Sequence, residues 1–539
     1  MAANPQIPVE GLKLCDGAVP LISCAAAEPL VSKNSQGFRK IMLTMARDSG
    51  QYLAGLALLS LANVALVPLY TRQLTPVAFG AYALVDVSIL SILTISSLGL
   101  NVAYLKRFAE AKPEDVSLLF MTVLVAGLAA AALLGLSLSY LLHGKTVDAW
   151  FGMPVREISW MLLPIVCAET LQTLFLAHLR AARRPWAFCA GSVIRLVGVV
   201  AASLWFLLVK HQGLHGVFLG RLFGDVAGVA VFAVLSMGAL QLSFCWKRAT
   251  EMVRFGLPLV FSALMAALLD ASGRYFLSHY STLAEVGLYG LGMKLSGLLR
   301  VFLVAPFGVA WGGIMFRISR EENAQLIYSK LLGYALVIGV TAAAVADLFT
   351  PVALTVFATP VYFGAERIVP VLLMTQAVAM MQYPASVGIY LRGSTRLFAP
   401  IYGGSLALDL LLNRLLVPRL GIRGAAISWL ISWAVLVGAT ACVGQRLYPL
   451  RYEWKPWLMA GMAWVAVSAF KTSGISGVTI PGLACSGGFC IALLSLVIWF
   501  VWSDFHKTAA GIERLPRTHR VDEQWTSPAQ ALFKQGAQE

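Results

Sequence analysis

Charge is scarce in this 539-residue chain: Asp, Glu, Lys and Arg together make up 12% of it, whereas 59% is hydrophobic. That ratio excludes a soluble domain whose apolar residues fill one core beneath a polar surface. The eight cysteines, Cys15, Cys24, Cys167, Cys189, Cys245, Cys442, Cys485 and Cys490, lack any spacing that suggests zinc, a redox pair or a disulfide framework. No cofactor or metal is called for. A phosphate-cradling P-loop with its lysine is also missing, which argues against a nucleotide-driven pump. Residues 1 to about 40 lack the charged start, continuous apolar run and cleavage site of a secretory signal.

What the chain has instead is a succession of apolar runs, each long enough to cross the roughly 30 Å hydrocarbon layer as a helix. Fourteen are expected, at 49–70, 79–105, 117–142, 158–179, 186–209, 216–240, 255–277, 286–315, 331–350, 368–390, 397–417, 424–445, 456–471 and 487–503. Helices are preferred to strands because the runs lack dyad alternation and lipid offers backbone groups no water. Pro164, Pro258, Pro306 and Pro384 interrupt the runs and read as packing kinks or hinges.

The formal charge of +15 raises the question of nucleic acid, but the positions of the bases answer it otherwise. With the N-terminus cytoplasmic, the inside loops and both tails hold 27 of the 41 Lys and Arg, against 8 in the outside loops. This positive-inside asymmetry places both termini in the cytoplasm and marks the basic loop clusters as topology anchors and phospholipid contacts.

A repeat runs through the chain. Gly80, Tyr82 and Leu84 recur as Gly287, Tyr289 and Leu291, and Arg47 as Arg254, all at an offset of 207. "FGMPV" at Phe151 recurs as "FATPV" at Phe357, "LRAARR" as "LRGSTR", and Gly213 and Gly216 as Gly421 and Gly424. Helices one to six and seven to twelve therefore read as two copies of one bundle. Six being even, both copies enter from the same side, related by an axis along the membrane normal. Transporters built this way hold substrate between the halves near the midplane and alternate access by rocking. The expected divisions are a cytoplasmic extension (1–45), an N-terminal lobe (46–245), a C-terminal lobe (246–446), helices 13 and 14 (447–505) and a cytoplasmic tail (506–539).

Apart from Lys471, the last residue of its span, twelve ionisable residues fall inside the spans: Asp86, Glu169, Arg195, Arg221, Asp225, Asp270, Arg274, Lys294, Arg300, Asp347, Asp409 and Arg414. Facing lipid, at about 2.5 to 3.5 kcal/mol each, they would cost roughly 30 to 40 kcal/mol. A folded domain has only about 5 to 15 kcal/mol of net stability. Most must pair, snorkel or line water, and Asp347, near a helix end, is expected to reach the interface. Arg221 with Asp225 and Asp270 with Arg274 have the i,i+4 spacing of self-neutralising pairs, and Asp409 with Arg414, five apart, meet less well. Arg195, Lys294, Arg300 and Glu169 have no opposite charge at pairing distance on their own helices and are the better functional candidates. At about 1.5 Å of rise per residue, Asp86 and Lys294 lie roughly 10 to 12 Å below the outer surface in pseudo-equivalent places, with Arg274 at similar depth. An acid of one half thus faces bases of the other, either tuning a cationic cavity or carrying a proton.

The run "YTRQLTPVAFGAYALVDVSILSILTISSLGLNVAYLKRF", the segment "FATPVYFGAERIVPVLL" and the 6+6+2 plan resemble the polysaccharide transporter (Wzx-like O-antigen flippase) family of the multidrug/oligosaccharidyl-lipid/polysaccharide exporter superfamily. The similarity covers about residues 45–500. It implies an all-α polytopic fold of the exporter superfamily, with two pseudo-symmetric six-helix bundles and two C-terminal helices. It also implies a non-enzymatic flippase of the bacterial inner membrane. Its cargo would be an undecaprenyl-pyrophosphate-linked repeat unit of O-antigen, capsule or exopolysaccharide, moved from the cytoplasmic to the periplasmic leaflet. Helices one, two, seven and eight commonly line the cavity of such proteins, which points to Asp86, Asp270, Arg274, Lys294 and Arg300. Residues 456–503 would form a groove for the lipid tail, and polymerase and chain-length proteins are implied partners, beside membrane lipids.

On that basis Arg274, Lys294 and Arg300, with Arg195 and Arg221, are the expected pyrophosphate contacts. Asp86, Asp270, Glu169 and Asp225 are the expected cavity acids or coupling-ion sites. Moving about two negative charges outward gains roughly 4 to 5 kcal/mol per 100 mV, so the membrane potential alone can drive export. Two other readings stay open, and a third, a non-catalytic scaffold, is disfavoured by the number of intramembrane charges. A cation-coupled drug exporter would want an acidic, aromatic cavity. A polymerase or glycosyltransferase would want a larger outer loop than 351–367, where Glu366 and Arg367 are the charged residues; adjacent Glu321 and Glu322 read as a solvated cluster.

Overall fold

The computed structural model describes residues 66–144, 156–241, 243–319, 323–450, 453–473 and 479–514. The N-terminal extension, Arg47, most of the first expected span, the Phe151 copy of one repeat match, Cys15, Cys24, Glu321, Glu322 and the tail beyond 514 lie outside the described residues. Among the described residues every regular element is a helix.

The first half contains α1 (Val67–Gln73), α2 (Pro76–Ser96), α3 (Leu100–Glu110), α4 (Val116–Leu142), α5 (Arg156–Ala181), α6 (Pro185–Leu204) and α7 (Gly213–Leu235). The second holds α8 (Trp246–Tyr280), α9 (Leu283–Leu299), α10 (Ala305–Ile318), α11 (Ala324–Leu348), α12 (Thr350–Phe357), α13 (Val369–Met380), α14 (Phe398–Leu420) and α15 (Ile422–Leu447), before α16 (Lys455–Thr472) and α17 (Ile480–Arg514). Among the described residues ten helices are long and apolar enough to cross a membrane, and an eleventh forms if the pair 360–367 and 369–391, bent by 53°, is one broken span. The expected spans at 397–417 and 456–471 are helices too, α14 and α16, but fall outside that set. Ten or eleven spans of one chain establish a multi-pass membrane protein.

The repeated sequence produces repeated local structure. Helix α2 starts at Thr75, whose hydroxyl accepts the Ala78 N–H at 3.3 Å, and α9 starts 207 residues later at Thr282, which accepts the Glu285 N–H at 3.3 Å. Thr282 and Glu285 have the spacing of a capping box. The turns into α7 and α15 are likewise equivalent, since Gly213 (φ 53°) and Gly421 (φ 55°) both take the left-handed backbone that favours glycine.

Helices α2 and α9 then pack backbone to backbone. A Cβ on Gly80 would sit 1.9 Å from the Leu283 carbonyl oxygen, and one on Gly287 would sit 2.3 Å from the Pro76 oxygen. Pro76 and Leu283 are themselves 207 apart, so the contact maps onto itself under the sequence repeat. The recurrence of Gly-x-Tyr-x-Leu is thus explained physically: each glycine admits the start of the opposite helix. Gly80→Ala is expected to cost about 1–3 kcal/mol or more through this clash. Gly461→Ala, whose Cβ meets nothing within 4 Å, leaves the thermal midpoint unchanged or raised. Equal midpoints for the two variants would contradict the close approach.

Further contacts close the same end of the bundle. The Thr71 hydroxyl donates to the Phe357 carbonyl at 2.7 Å, Tyr362 Oη donates to the Leu74 carbonyl at 2.9 Å, and the Phe79 and Tyr362 rings meet edge to face at 5.7 Å. At the opposite end, Arg107 reaches Glu251 at 3.1 Å and Arg248 reaches Asp115 at 3.2 Å.

Ion pairs hold the last two helices against α11. Lys330 binds Glu453 at 2.8 Å and Asp504 at 2.9 Å near one end, and Lys471 binds Asp347 at 3.0 Å near the other. Asp347, near the end of α11, is a buried partner of α16, whose Lys471 also approaches the partly exposed Glu366. The cation that Asp347 needed sits on a helix 124 residues away, beyond any local pattern.

Candidate functional site

Inward of the closed end, a chamber of about 550 Å³ opens between helices drawn from both halves of the chain. Eight of the charged residues singled out in the sequence line it: Asp86 on α2, Glu169 on α5, Arg195 on α6, Arg221 on α7, Asp270 and Arg274 on α8, Lys294 on α9 and Arg300 just beyond α9. Asp225, completely buried, stands behind the wall. Bases outnumber acids five to three around the lumen.

The first-half charges form one network. Arg221 donates through Nη1 to Asp86 Oδ1 and through Nε to Glu169 Oε1, both at 2.7 Å. Arg195 donates through Nε to Asp225 Oδ1 at 2.8 Å and through Nη2 to Glu169 at 3.4 Å. Gln172 supports the far side by donating to the Asp225 backbone carbonyl at 2.8 Å. Lys294 joins from the other half: Nζ lies 3.7 Å from Asp86 Oδ2, donates to Tyr82 Oη at 3.2 Å and sits 5.0 Å from the Tyr82 ring centroid. The expectation that Asp86 faces a base of the opposite half is met by Lys294.

In the second half, Asp270 accepts from three donors. Arg300 Nη1 reaches Oδ2 at 3.2 Å, while the indole N–H groups of Trp429 and Trp433 reach Oδ1 at 3.0 and 3.2 Å. Arg274 makes no ion pair among the described residues, and its Nε is buried without a hydrogen-bond partner. Asp409, also fully buried, lies apart from the chamber lining and is held by Ser272 and Asn413.

One expectation from spacing is corrected here, and another is met only loosely. Asp270 and Arg274 do not pair, although i,i+4 spacing allows it; donors from outside their helix occupy both oxygens of Asp270. Arg221 and Asp225 do form the expected i,i+4 pair, but at 4.0 Å it is the loosest of their contacts, because Arg221 is drawn to Asp86 and Glu169 and Asp225 to Arg195. Conversely Arg195, Lys294, Arg300 and Glu169, without partners on their own helices, all find them on others. Trp429 and Trp433 were missed in the sequence. Their i,i+4 spacing on an apolar helix was the available signal, since two indole N–H groups stacked on one face need an acceptor. Tyr82 and Tyr275 were missed too; the latter hydrogen-bonds Ser88 across the halves at 2.7 Å.

Residues 48–319 match a family described as "Polysaccharide biosynthesis protein". No curated protein matches the sequence. Among solved structures, the chain is similar to the lipid II flippase MurJ in an inward closed conformation, with a TM-score of 0.67 and 10% identity over 86% of this chain and 100% of that one. It is also similar to an inward-facing multidrug resistance MATE family transporter of the MOP superfamily, with a TM-score of 0.55 and 16% identity over 79% of this chain and 96% of that one. A further match is a mutant of the Vibrio cholerae MATE transporter VcmN, with a TM-score of 0.53 and 16% identity over 78% of this chain and 98% of that one. At these identities the likeness is one of fold.

Proposed function

Because this chain belongs to the polysaccharide biosynthesis protein family and has the exporter fold, we propose that it is a flippase for a polyprenyl-diphosphate-linked oligosaccharide. One observation carries the reading. A chamber between the halves offers an excess of bases, and one of them, Arg274, has no carboxylate within ion-pair distance among the described residues, although it shares the field of Asp86 with Lys294 and Arg221. A guanidinium in such a place with no direct ion pair and a buried, unpartnered Nε is costly unless an anion completes it, and its forked donors suit phosphoryl oxygens. Lys294 and Arg300 flank it and provide further charge-assisted contacts.

The headgroup enters the chamber, the saccharide follows through the polar lumen, and the isoprenoid stays in lipid. No covalent bond changes, so the activity is transport and not catalysis. Both termini lie in the cytoplasm, as the basic loops require, and the closed end faces outward in a bacterial inner membrane. The cargo is a surface-polysaccharide repeat unit of the O-antigen, capsule or exopolysaccharide kind, carried from the cytoplasmic to the periplasmic leaflet by alternation of the two lobes, 46–245 and 246–446. Helices α16 and α17 ride with the second lobe through Lys330 and Lys471 and offer the tail its groove.

Reconstitution tests this. Vesicles holding the full chain should move a fluorescent undecaprenyl-diphosphate oligosaccharide between leaflets, read by protection from an impermeant reductant, and faster when the donor side is negative. Failure to move that lipid, together with ion-driven uptake of organic cations, would replace the flippase with a multidrug exporter.

A further inference from the structure

If an anion enters at Arg274, it arrives one helical turn from Asp270, whose carboxylate already holds Arg300. The paired bases of the chamber differ in how readily they can be given up. Arg221 and Arg195 are 14% and 24% exposed, and each binds more than one acid. Withdrawing either would strip buried Glu169 of a hydrogen bond, and withdrawing Arg195 would also leave Asp225 a poorly compensated charge, the most destabilising outcome for an intramembrane acid. Arg300 is different on three counts. It is 49% exposed, it binds a single acid, and that acid keeps two other donors.

The division of labour on Asp270 is specific. Trp429 and Trp433, buried and one turn apart on α15, both donate to Oδ1. Arg300 takes Oδ2, so its departure leaves the carboxylate hydrogen-bonded by two fixed indoles. Arg300 also opens a five-residue π-helical turn, Arg300–Val304, with Pro306 immediately beyond. In such a turn the hydrogen-bond ladder is already irregular, and the side chain can swing without breaking a regular helix.

We propose that Asp270, clamped by Trp429 and Trp433, is the resident counter-ion of Arg300. An entering diphosphate displaces it, and it recaptures Arg300 when the headgroup leaves. Asp270 is then a competitor that lowers affinity and speeds release, and the two tryptophans are positioning residues that keep it displaceable. This inference rests on the reading of the chamber as a headgroup site.

The competitor role has a signature that a purely structural role does not share. Binding of inorganic pyrophosphate to the purified full chain and flipping of the labelled lipid are measured side by side. Asp270→Asn should tighten pyrophosphate binding by about tenfold, the worth of one charge-assisted contact no longer contested. In the same variant both KM and kcat for flipping should fall, because release is slowed. The double variant Trp429→Phe with Trp433→Phe should act in the opposite sense. Without the indoles, Asp270 holds Arg300 as its main donor, and pyrophosphate binds several-fold more weakly. Unchanged or weaker binding in Asp270→Asn overturns the proposal. Should that variant fail to assemble, the tryptophan pair decides alone, and binding that is unchanged or tighter overturns it. Arg274→Ala separates the two claims: if pyrophosphate binding survives that change, the headgroup reading itself fails, whereas lost binding with no tightening in Asp270→Asn sinks only the counter-ion exchange.

Discussion

Arg274→Ala should lower flipping by about a hundredfold while leaving the bundle assembled. Two charge-assisted hydrogen bonds to a phosphoryl group, at about 1.5 kcal/mol each, account for a loss of that size. Its stability effect follows from the lack of an ion-pair partner. No carboxylate lies within ion-pair distance of Arg274 among the described residues, and its buried Nε donates to nothing; Asp86 feels its charge only through space and keeps Arg221 and Lys294, so removing Arg274 breaks no direct pair and relieves a desolvated donor. The variant should reach the membrane at parental levels, with a thermal midpoint equal to or above the parent. A collapse in stability would mean that Arg274 is structural, and normal flipping would remove it from the site.

Arg221→Met should do the opposite, with stability lost first. Arg221 donates to Asp86 and Glu169 at 2.7 Å, and those acids lie within the membrane span. Breaking a buried pair by removing one partner costs about 3–5 kcal/mol, because the remaining charge is left uncompensated. That approaches the whole net stability of a domain, about 5–15 kcal/mol. The thermal midpoint should drop sharply, and Asp86→Asn with Glu169→Gln in the same chain should restore much of it by neutralising what Arg221 left behind. Such rescue is the non-additivity expected of residues in one network. A single variant as stable as the parent would show that Lys294 and Arg195 suffice to hold these acids.

The contrast between the two arginines explains how far the site was legible. Both were visible in the sequence as intramembrane charges, and eight of the charges singled out there line one chamber. Their roles were not visible. Helical spacing assigned Arg274 to Asp270 and Arg221 to Asp225; the first assignment gave way to partners from other helices, and the second survives only as a 4.0 Å contact beside shorter ones to other helices. A span supplies the i,i+4 option at little cost, but the choice between options depends on which donors neighbouring helices press against a carboxylate in a dry environment. Trp429 and Trp433, 159 and 163 residues from Asp270, illustrate this.

By itself the sequence determined the class of molecule: long apolar runs in a chain poor in charge admit only membrane helices, because lipid leaves backbone groups no partner but their own segment. It also determined where the copied segments begin, since Thr75 and Thr282 cap the same helix twice and Gly80 and Gly287 leave the same gap twice. Tertiary structure alone decided which charges cancel and which one is left over. Local rules act within a turn or two of helix, whereas the hydrogen bonds made by the chamber's bases join residues from 26 to 212 positions apart, chosen by packing between helices. Arg274 emerges as the base without a direct ion pair only after every other guanidinium around the chamber has found its acid.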